Sequence, residues 1–497
     1  MSDEKRPELI ALEQRLANTQ DAIRHTAADK RHAKGYRTAR ENLVDLIDAD
    51  SFNEYGQLAI AAQKNRRDTD ELRTQTAADG VITGTATIDG IAVALAIYDY
   101  AVLAGTQGYF HHQKLDRIFE LAEQQLLPVI IFTEGGGGRP GDTDVTTQIA
   151  GLNLTSFATW ARLHGKVPRI AIANGYCFAG NAALFGCADI TIATRTSWIG
   201  MGGPAMIEGG GLGTFAPTQI GPIDVQASNG VVDIVADDEA HATRIARQLI
   251  SLIRHDDAQW DCVDQQRLRD AMPEDRRYGY KIRPVIETLA DTGSFIELRR
   301  DYGRPIVTGL LRIEGTTVGV VANDCQQMGG AIDAESADKA AQFFELCDRL
   351  SIPILSLTDT PGFMVGPDSE SDAAVRRMAT LFTAGARLCV PVVAVILRRG
   401  YGLGAMAMAG GSFAAPRYTV AWPSGEFGGM GLEGAVRLGY RKELDACENE
   451  AARDALFETL VAKMYAIGKA TEAAAHLEID AVIDPIDTRA VIIRALR

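Results

Sequence analysis

A chain of 497 residues is longer than a single hydrophobic core usually organises, so two domains are expected. With 46% hydrophobic and 23% charged residues, it has the composition of a folded globular protein rather than a disordered or fibrous one. Its 65 acidic against 50 basic side chains leave a formal charge of −15, which excludes a general nucleic-acid surface and confines any anionic ligand to a local basic patch.

The chain opens on Met1-Ser2-Asp3-Glu4-Lys5-Arg6, without a signal-peptide core, and no apolar run approaches the roughly 18 residues that span a bilayer. The seven cysteines include no C-x-x-C pair, so a zinc ribbon has no ligands and a reduced, cytoplasmic setting without a structural metal is expected. Residues 1–75 have a helical, charged pattern, and Asp29-Lys30-Arg31-His32-Ala33-Lys34-Gly35-Tyr36-Arg37 starts a basic cluster unusual in so acidic a chain. That cluster is either a solvated helix face or a phosphate-binding patch.

A first α/β domain is expected over residues 76–280. Residues 81–97 give two β-like runs around Asp89-Gly90, and residues 114–125 have helical spacing. Residues 127–133 and 167–173 are short apolar runs suited to buried parallel strands. Between them Glu134-Gly135-Gly136-Gly137-Gly138-Arg139-Pro140-Gly141 lacks the Gly-Lys-Ser/Thr of a phosphate loop, so it is read as a tight turn beside a ligand, with Arg139 a candidate phosphate or carboxylate partner. Next, Gly175-Tyr176-Cys177-Phe178-Ala179-Gly180-Asn181 leads from a strand into an apolar helix. Backbone N–H groups at such a helix start stabilise developing negative charge, as in an oxyanion hole. Residues 236–280 form an acidic, then helical, connector.

A second domain over residues 281–497 repeats the first. Thr83-Gly84 recurs as Thr308-Gly309, 225 positions on, and the same step carries Asp99 to Asp324, Gly105 to Gly330, Lys114 to Lys339, Phe119-Glu120-Leu121 to Phe344-Glu345-Leu346 and Pro128 to Pro353. It also matches Gly175-Tyr176 with Gly400-Tyr401. One register held through some ninety positions marks a duplication, and strands alternating with helices make each copy an α/β layer. The loop Leu103-Ala104-Gly105-Thr106 thereby gains the counterpart Met328-Gly329-Gly330-Ala331, and the glycine turn gains Gly400-Tyr401-Gly402-Leu403-Gly404-Ala405.

The turn at Gly180 resembles the signature of the crotonase superfamily, whose N–H groups bind the enolate oxygen of an acyl-CoA thioester. Two such copies in tandem resemble the carboxyltransferase β-subunits of biotin-dependent acyl-CoA carboxylases, the class of the propionyl-CoA and methylcrotonyl-CoA enzymes. The likeness extends over Lys34-Gly35-Tyr36-Arg37-Thr38-Ala39-Arg40, Val321-Ala322-Asn323-Asp324, Ala337-Asp338-Lys339-Ala340-Ala341, Asp359-Thr360-Pro361-Gly362-Phe363, Ala421-Trp422-Pro423 and Asp484-Pro485-Ile486-Asp487-Thr488-Arg489.

The resemblance implies two tandem crotonase-like (ββα spiral) domains behind an N-terminal helical segment. It implies carboxyl transfer from carboxybiotin to the α- or vinylogous γ-carbon of an acyl-CoA through oxyanion-stabilised enolates. The thioester donors would be Gly180 or Asn181 with Ala104 or Gly105, and the biotin donors Gly404 and Ala405 with Gly329 or Gly330. Arg37, Arg139, Tyr176 and Tyr401 would contact the ligands. Biotin would come on a separate biotin carboxylase or carboxyl-carrier subunit or domain, since Val461-Ala462-Lys463-Met464 lacks the methionine that precedes a biotinylated lysine. A homo-oligomer, a dimer or a trimer of dimers, is implied, with no nucleic acid and no membrane as partner. A carboxyacyl-CoA decarboxylase on the same scaffold, or a non-catalytic assembly subunit, are the alternatives. A hydratase would need a glutamate three residues after the oxyanion glycine, where this chain has Ala183.

Overall fold

Strands β2 (Val81–Ile88) and β3 (Ile91–Tyr98) pair antiparallel because Asp89 and Gly90 both take left-handed φ, +49° and +78°, as a two-residue hairpin turn requires. Strands β4 (Val129–Phe132), β5 (Arg169–Ala173), β7 (Ile190–Thr194) and β9 (Ile234–Ala236) then add in parallel, while β1 (Asn53–Tyr55) flanks β2. The resulting order is β1-β2-β3-β4-β5-β7-β9. The continuous apolar runs of β4 and β5 reflect burial on both faces. Leu115, Ile118, Phe119 and Ala122 of the helix Tyr109–Gln125 pack with Ala94, Ala96, Val129 and Ile131 in one core. Short strands β6 (Tyr176–Phe178) and β8 (Trp198–Gly200) pair apart from this sheet.

These elements belong to a computed structural model that describes residues 5–146, 149–254 and 259–496; residues 1–4, part of the polar start noted above, lie outside it. The chain divides into two compact units, Met1–His255 and Asp256–Arg497. This break precedes the expected one after residue 280, because Leu268, Tyr280 and Ile282 are buried in the core of the second unit. The long helix of the connector, Glu239–Arg254, belongs to the first unit. Residues 5–75 include helices Pro7–Ala17, His25–His32, Ala39–Leu46 and Thr69–Gln75, also within the first unit.

The second unit is built the same way. Strands β11 (Ile306–Ile313) and β12 (Thr316–Asn323) lie 225 positions after β2 and β3, residue for residue, with Glu314 and Gly315 at φ +50° and +79° in the hairpin turn. With β10 (Ile296–Leu298), β13 (Ile354–Thr360), β14 (Val392–Tyr401), β15 (Tyr418–Ala421) and β17 (Ala481–Val482) they run β10-β11-β12-β13-β14-β15-β17, and β16 (Glu426–Gly428) pairs with the end of β14. The matched lysines do one job in both copies. Lys114 Nζ donates to the carbonyls of Ala78 (2.8 Å) and Val81, and Lys339 Nζ to those of Arg299, Tyr302 and Ile306 at 2.8, 2.9 and 2.6 Å. Each ties the helix after the hairpin to the chain entering it.

The constant offset breaks after β4. Val129 pairs with Arg169, whereas Ile354, its counterpart at 225, pairs with Val392, 223 positions after Arg169. Two residues are missing from the second copy before β14. Phe178 therefore corresponds to Tyr401, as their pairings with Gly200 and Gly428 show. Gly180 corresponds to Leu403, Asn181 to Gly404 and Ala182 to Ala405, which corrects the 225-register match of Gly175-Tyr176 with Gly400-Tyr401.

Candidate functional site

In the first unit β6 ends at Phe178 and the chain turns through Ala179, at φ +53° and ψ −121°, into the helix Gly180–Gly186. A non-glycine residue there carries backbone strain, and the turn sets the first N–H groups of the helix, those of Gly180 and Asn181, outside the intrahelical ladder. Facing it is Leu103–Gly105, with φ of +48°, +54° and +62°. Gly105 N–H donates to Val102 O (3.0 Å) and Thr106 N–H to Leu103 O (3.2 Å). Ala104 N–H has no partner among the described residues, so of the two candidates in this loop Ala104 is the free donor and Gly105 is not.

The glycine-rich stretch after β4 stitches both turns together. Gly136 N–H donates to Ala104 O (3.2 Å), Gly135 N–H to Tyr176 O (2.7 Å) and Gln107 N–H to Gly137 O (2.8 Å). A β-carbon on Gly105 or Gly135 would collide with the backbone of the other segment, which is why both are glycine. Asn181 locks the crossing: fully buried, it accepts from Gly137 N–H (3.0 Å) and donates to the carbonyls of Thr133 (3.0 Å) and Gly105 (3.3 Å). Its side chain is a clamp, a role that sequence reasoning missed by weighing only its backbone.

A cleft of about 750 Å³ lies in the same unit, lined by Lys30, Arg31, Lys34, Leu103, Glu134 and Tyr176 among others. Arg31 pairs with both oxygens of Glu134 at 2.9 and 2.8 Å. Burial pushes the Glu134 carboxyl up to about 7, outweighing the pull of Arg31. Lys30 and Lys34 have no ion-pair partner among the described residues, so they are the uncommitted cations of the cleft. Two sequence candidates fall elsewhere. Arg37 pairs with Asp45 (2.8 Å) and lines a separate shallow depression. Arg139 is buried against Asp79 and donates to Thr106 O (2.8 Å), so it supports the Ala104 loop and has no free edge for a phosphate. The basic cluster was legible, but which of its members face the cleft depends on helix rotation.

The second unit repeats the two turns. Met328–Gly330 has φ of +48°, +63° and +82°; Gly330 N–H donates to Gln327 O (2.8 Å), leaving Gly329 N–H without a partner among the described residues. Gly402, at φ +58°, is the elbow that opens the helix Gly402–Met408. Leu403, Gly404 and Ala405 N–H all lie in the first turn of that helix and have no backbone hydrogen-bond partner outside it among the described residues, so Gly404 and Ala405 stand there as open donors together with Leu403. Gly404 sits where a β-carbon would lie 2.7 Å from Gly362 C and 3.0 Å from Phe363 N. Tyr176 lines the first cleft, but Tyr401 is buried with its hydroxyl donated to Glu426 Oε2 (3.0 Å) and does not face a ligand. The acid at the end of β13, Asp359, is fully buried; burial pushes its carboxyl up, yet Arg399 and Arg398 together hold it below the ordinary range. Among the described residues no helix is long and apolar enough to cross a membrane, and no cluster of His, Cys, Asp or Glu could hold a metal ion.

Residues 30–497 match the model of the carboxyl transferase domain. The methylmalonyl-CoA carboxyltransferase 12S subunit of Propionibacterium freudenreichii subsp. shermanii is 34% identical over 481 residues, covering 94% of this chain and 89% of its own. A solved transcarboxylase 12S hexamer with methylmalonyl-CoA superposes with a TM-score of 0.86 at 31% identity, over 100% of this chain and 95% of that one. A single-chain, multi-domain long-chain acyl-CoA carboxylase superposes with a TM-score of 0.93 at 52% identity over 99% of this chain, which spans about half (49%) of that longer polypeptide. Two mixed α/β units that match these structures, under one family model, make the chain a member of the carboxyl transferase family, the carboxyltransferase enzymes of biotin-dependent acyl-CoA carboxylases.

Proposed function

We propose that the chain moves a carboxyl group between a biotin carrier and a long-chain acyl-CoA, the first unit holding the thioester and the second the carrier group. The observation that carries this reading is the pair of two-turn donor arrangements, of which the first adjoins a cleft with free lysines. Ala104 N–H with Gly180 or Asn181 N–H would hold the thioester oxygen as negative charge develops on it, each donor contributing about 3 kcal/mol. Lys30 and Lys34 would hold the CoA phosphates. The chain's own groups thus supply charge stabilisation; Ala183 leaves the first turn without the carboxylate of a hydratase.

The second unit fits a cyclic urea because its two turns present backbone donors, Gly329 N–H on one side and Leu403, Gly404 and Ala405 N–H on the other, none with a backbone partner elsewhere among the described residues. Biotin, when bound, supplies the activated carboxyl group. The long-chain acyl class rests on the 52% identity to the long-chain acyl-CoA carboxylase, against 31–34% for the methylmalonyl-CoA proteins. That relative is multi-domain and twice as long, which supports a biotin carboxylase and carrier on other chains or domains. The 12S hexamer supports a trimer of dimers for this chain.

Biotin-dependent decarboxylation of a panel of carboxyacyl-CoAs, from malonyl-CoA to long-chain 2-carboxyacyl-CoAs, tests the reading. Turnover should require biotin and favour long chains; turnover indifferent to biotin, or none, would overturn it.

A further inference from the structure

The duplicated turns have diverged in charge. In the first unit the acid just beyond β4, Glu134, is taken by Arg31 through two hydrogen bonds, and a second carboxylate, Glu239, lies 3.8 Å from the same guanidinium. Asp359, its counterpart, faces two arginines instead. Arg398 alone meets one carboxylate oxygen twice, at 3.2 and 2.9 Å, and spends Nη1 on the carbonyls of Arg276 and Tyr278 at 3.1 and 2.8 Å. Each of the three nitrogens of Arg398 is thus engaged, and its side chain is 4% exposed.

Arg399 is different. Its Nε donates to Asp359 Oδ1 at 2.7 Å and its backbone N–H to the same oxygen at 3.1 Å, but Nη2 is buried with no partner and Nη1 makes no hydrogen bond among the described residues. That free edge lies along the left-handed turn: a β-carbon on Gly329 would sit 3.9 Å from Nη1, and one on Gly330 3.7 Å from Nη2. Asn323, which accepts from Asp359 N–H at 3.1 Å, leaves a second buried donor, Nδ2, unmet. The corresponding positions of the first unit carry no such pair of cations. Tyr176 stands at the position of Arg399, and Tyr98, at that of Asn323, accepts from Gln107 Nε2 at 2.9 Å. Two arginines against one carboxylate, with two unmet donors, call for an acceptor that carries negative charge.

We propose that Arg399 is a ligand-binding residue of the second unit, its Nη1 and Nη2 edge holding the carboxylate of the carboxylated cyclic urea beside Gly329. This deepens the functional reading above and rests on it. Arg398 is the structural arginine of the pair, and Asp359 orients Arg399 through Nε and leaves the bidentate edge outward, the geometry in which a guanidinium recognises a carboxylate.

The test compares two soluble probes by calorimetry on the full chain: anionic (2-oxoimidazolidin-1-yl)acetate and neutral 2-imidazolidinone. The unaltered chain should bind the anion at least tenfold more tightly, and Arg399→Met should erase that preference while changing affinity for the neutral urea less than twofold. Arg399→Lys, which keeps a cation against Asp359 and so guards against misfolding, should retain an intermediate preference with an unshifted melting temperature. In the decarboxylation assay Arg399→Met should lose about a hundredfold in kcat, with acyl-CoA KM within twofold and partial rescue by added guanidinium. Equal binding of the two ureas by the unaltered chain, binding of neither, or a preference that survives Arg399→Met overturns the assignment. If the unaltered chain still decarboxylates in a biotin-dependent way, the functional reading stands and Arg399 alone is refuted; if it does not, that reading falls as well.

Discussion

Asn181 does with a side chain in the first unit what Gly404 does with its absence in the second. Its three hydrogen bonds hold the Gly105 loop, the end of β4 and the glycine stretch together, whereas Gly404 lets the Gly362 backbone come directly against the helix. Asn181→Ala leaves three buried backbone groups unpaired and should destabilise the first unit by about 3 kcal/mol, read from its denaturant midpoint. A loss below about 0.5 kcal/mol would mean that the clamp is dispensable. Glu134 gives a pH prediction. Its folded pKa of about 7 lies above the ordinary 4.5, so folding favours the protonated carboxyl. That contribution is complete below pH 4.5 and is lost as pH rises through 7, so the melting temperature should fall across this window. Glu134→Gln is neutral throughout and should flatten the slope; an unchanged slope places the titration elsewhere.

At the scale of elements, the two elbows predict opposite signs. Ala179 holds a left-handed φ with a β-carbon, so Ala179→Gly should raise stability by about 1 kcal/mol. Gly402 needs its glycine: at φ +58° a β-carbon would lie 2.8 Å from Gly429 O, so Gly402→Ala should cost about 2 kcal/mol. Paired melting curves decide this, and equal shifts would mean that the two turns differ in ways the backbone angles miss. The buried lysines act on hairpin and helix together. Burial lowers Lys339 to about 7, yet three carbonyls point at its Nζ. Lys339→Met strands all three and should lower the stability of the second unit by about 3 kcal/mol, measured by chemical denaturation.

Over the whole molecule, the proposed division of labour between the units is what Gly180→Pro and Gly404→Ala test. Gly180→Pro removes a donor from the turn proposed to hold the thioester and should weaken acyl-CoA binding as well as turnover. Gly404→Ala pushes Gly362 and Phe363 off the second turn and should cut biotin-dependent turnover about a hundredfold while acyl-CoA affinity persists. Calorimetry with an acyl-CoA beside the decarboxylation assay distinguishes them; matching losses of affinity would contradict the division. The duplication, the α/β class, the paired hairpins and the positions of the four glycine-containing turns were all legible in the sequence, because repeated glycines and alternating apolar runs answer to local backbone and burial requirements that any copy must meet. The two-residue slip before β14 was not legible, since Gly175-Tyr176 and Gly400-Tyr401 match by letter at 225, while pairing between distant strands puts Phe178, not Tyr176, at the place of Tyr401. Nor could spacing tell the free N–H groups of Ala104 and Gly329 from the committed ones of Gly105 and Gly330, or the committed Arg37 and Arg139 from the open Lys30, Lys34 and Arg399. A donor is free or spent according to which acceptor the tertiary fold brings within about 3 Å of it, and that distance is set by residues far away in the chain.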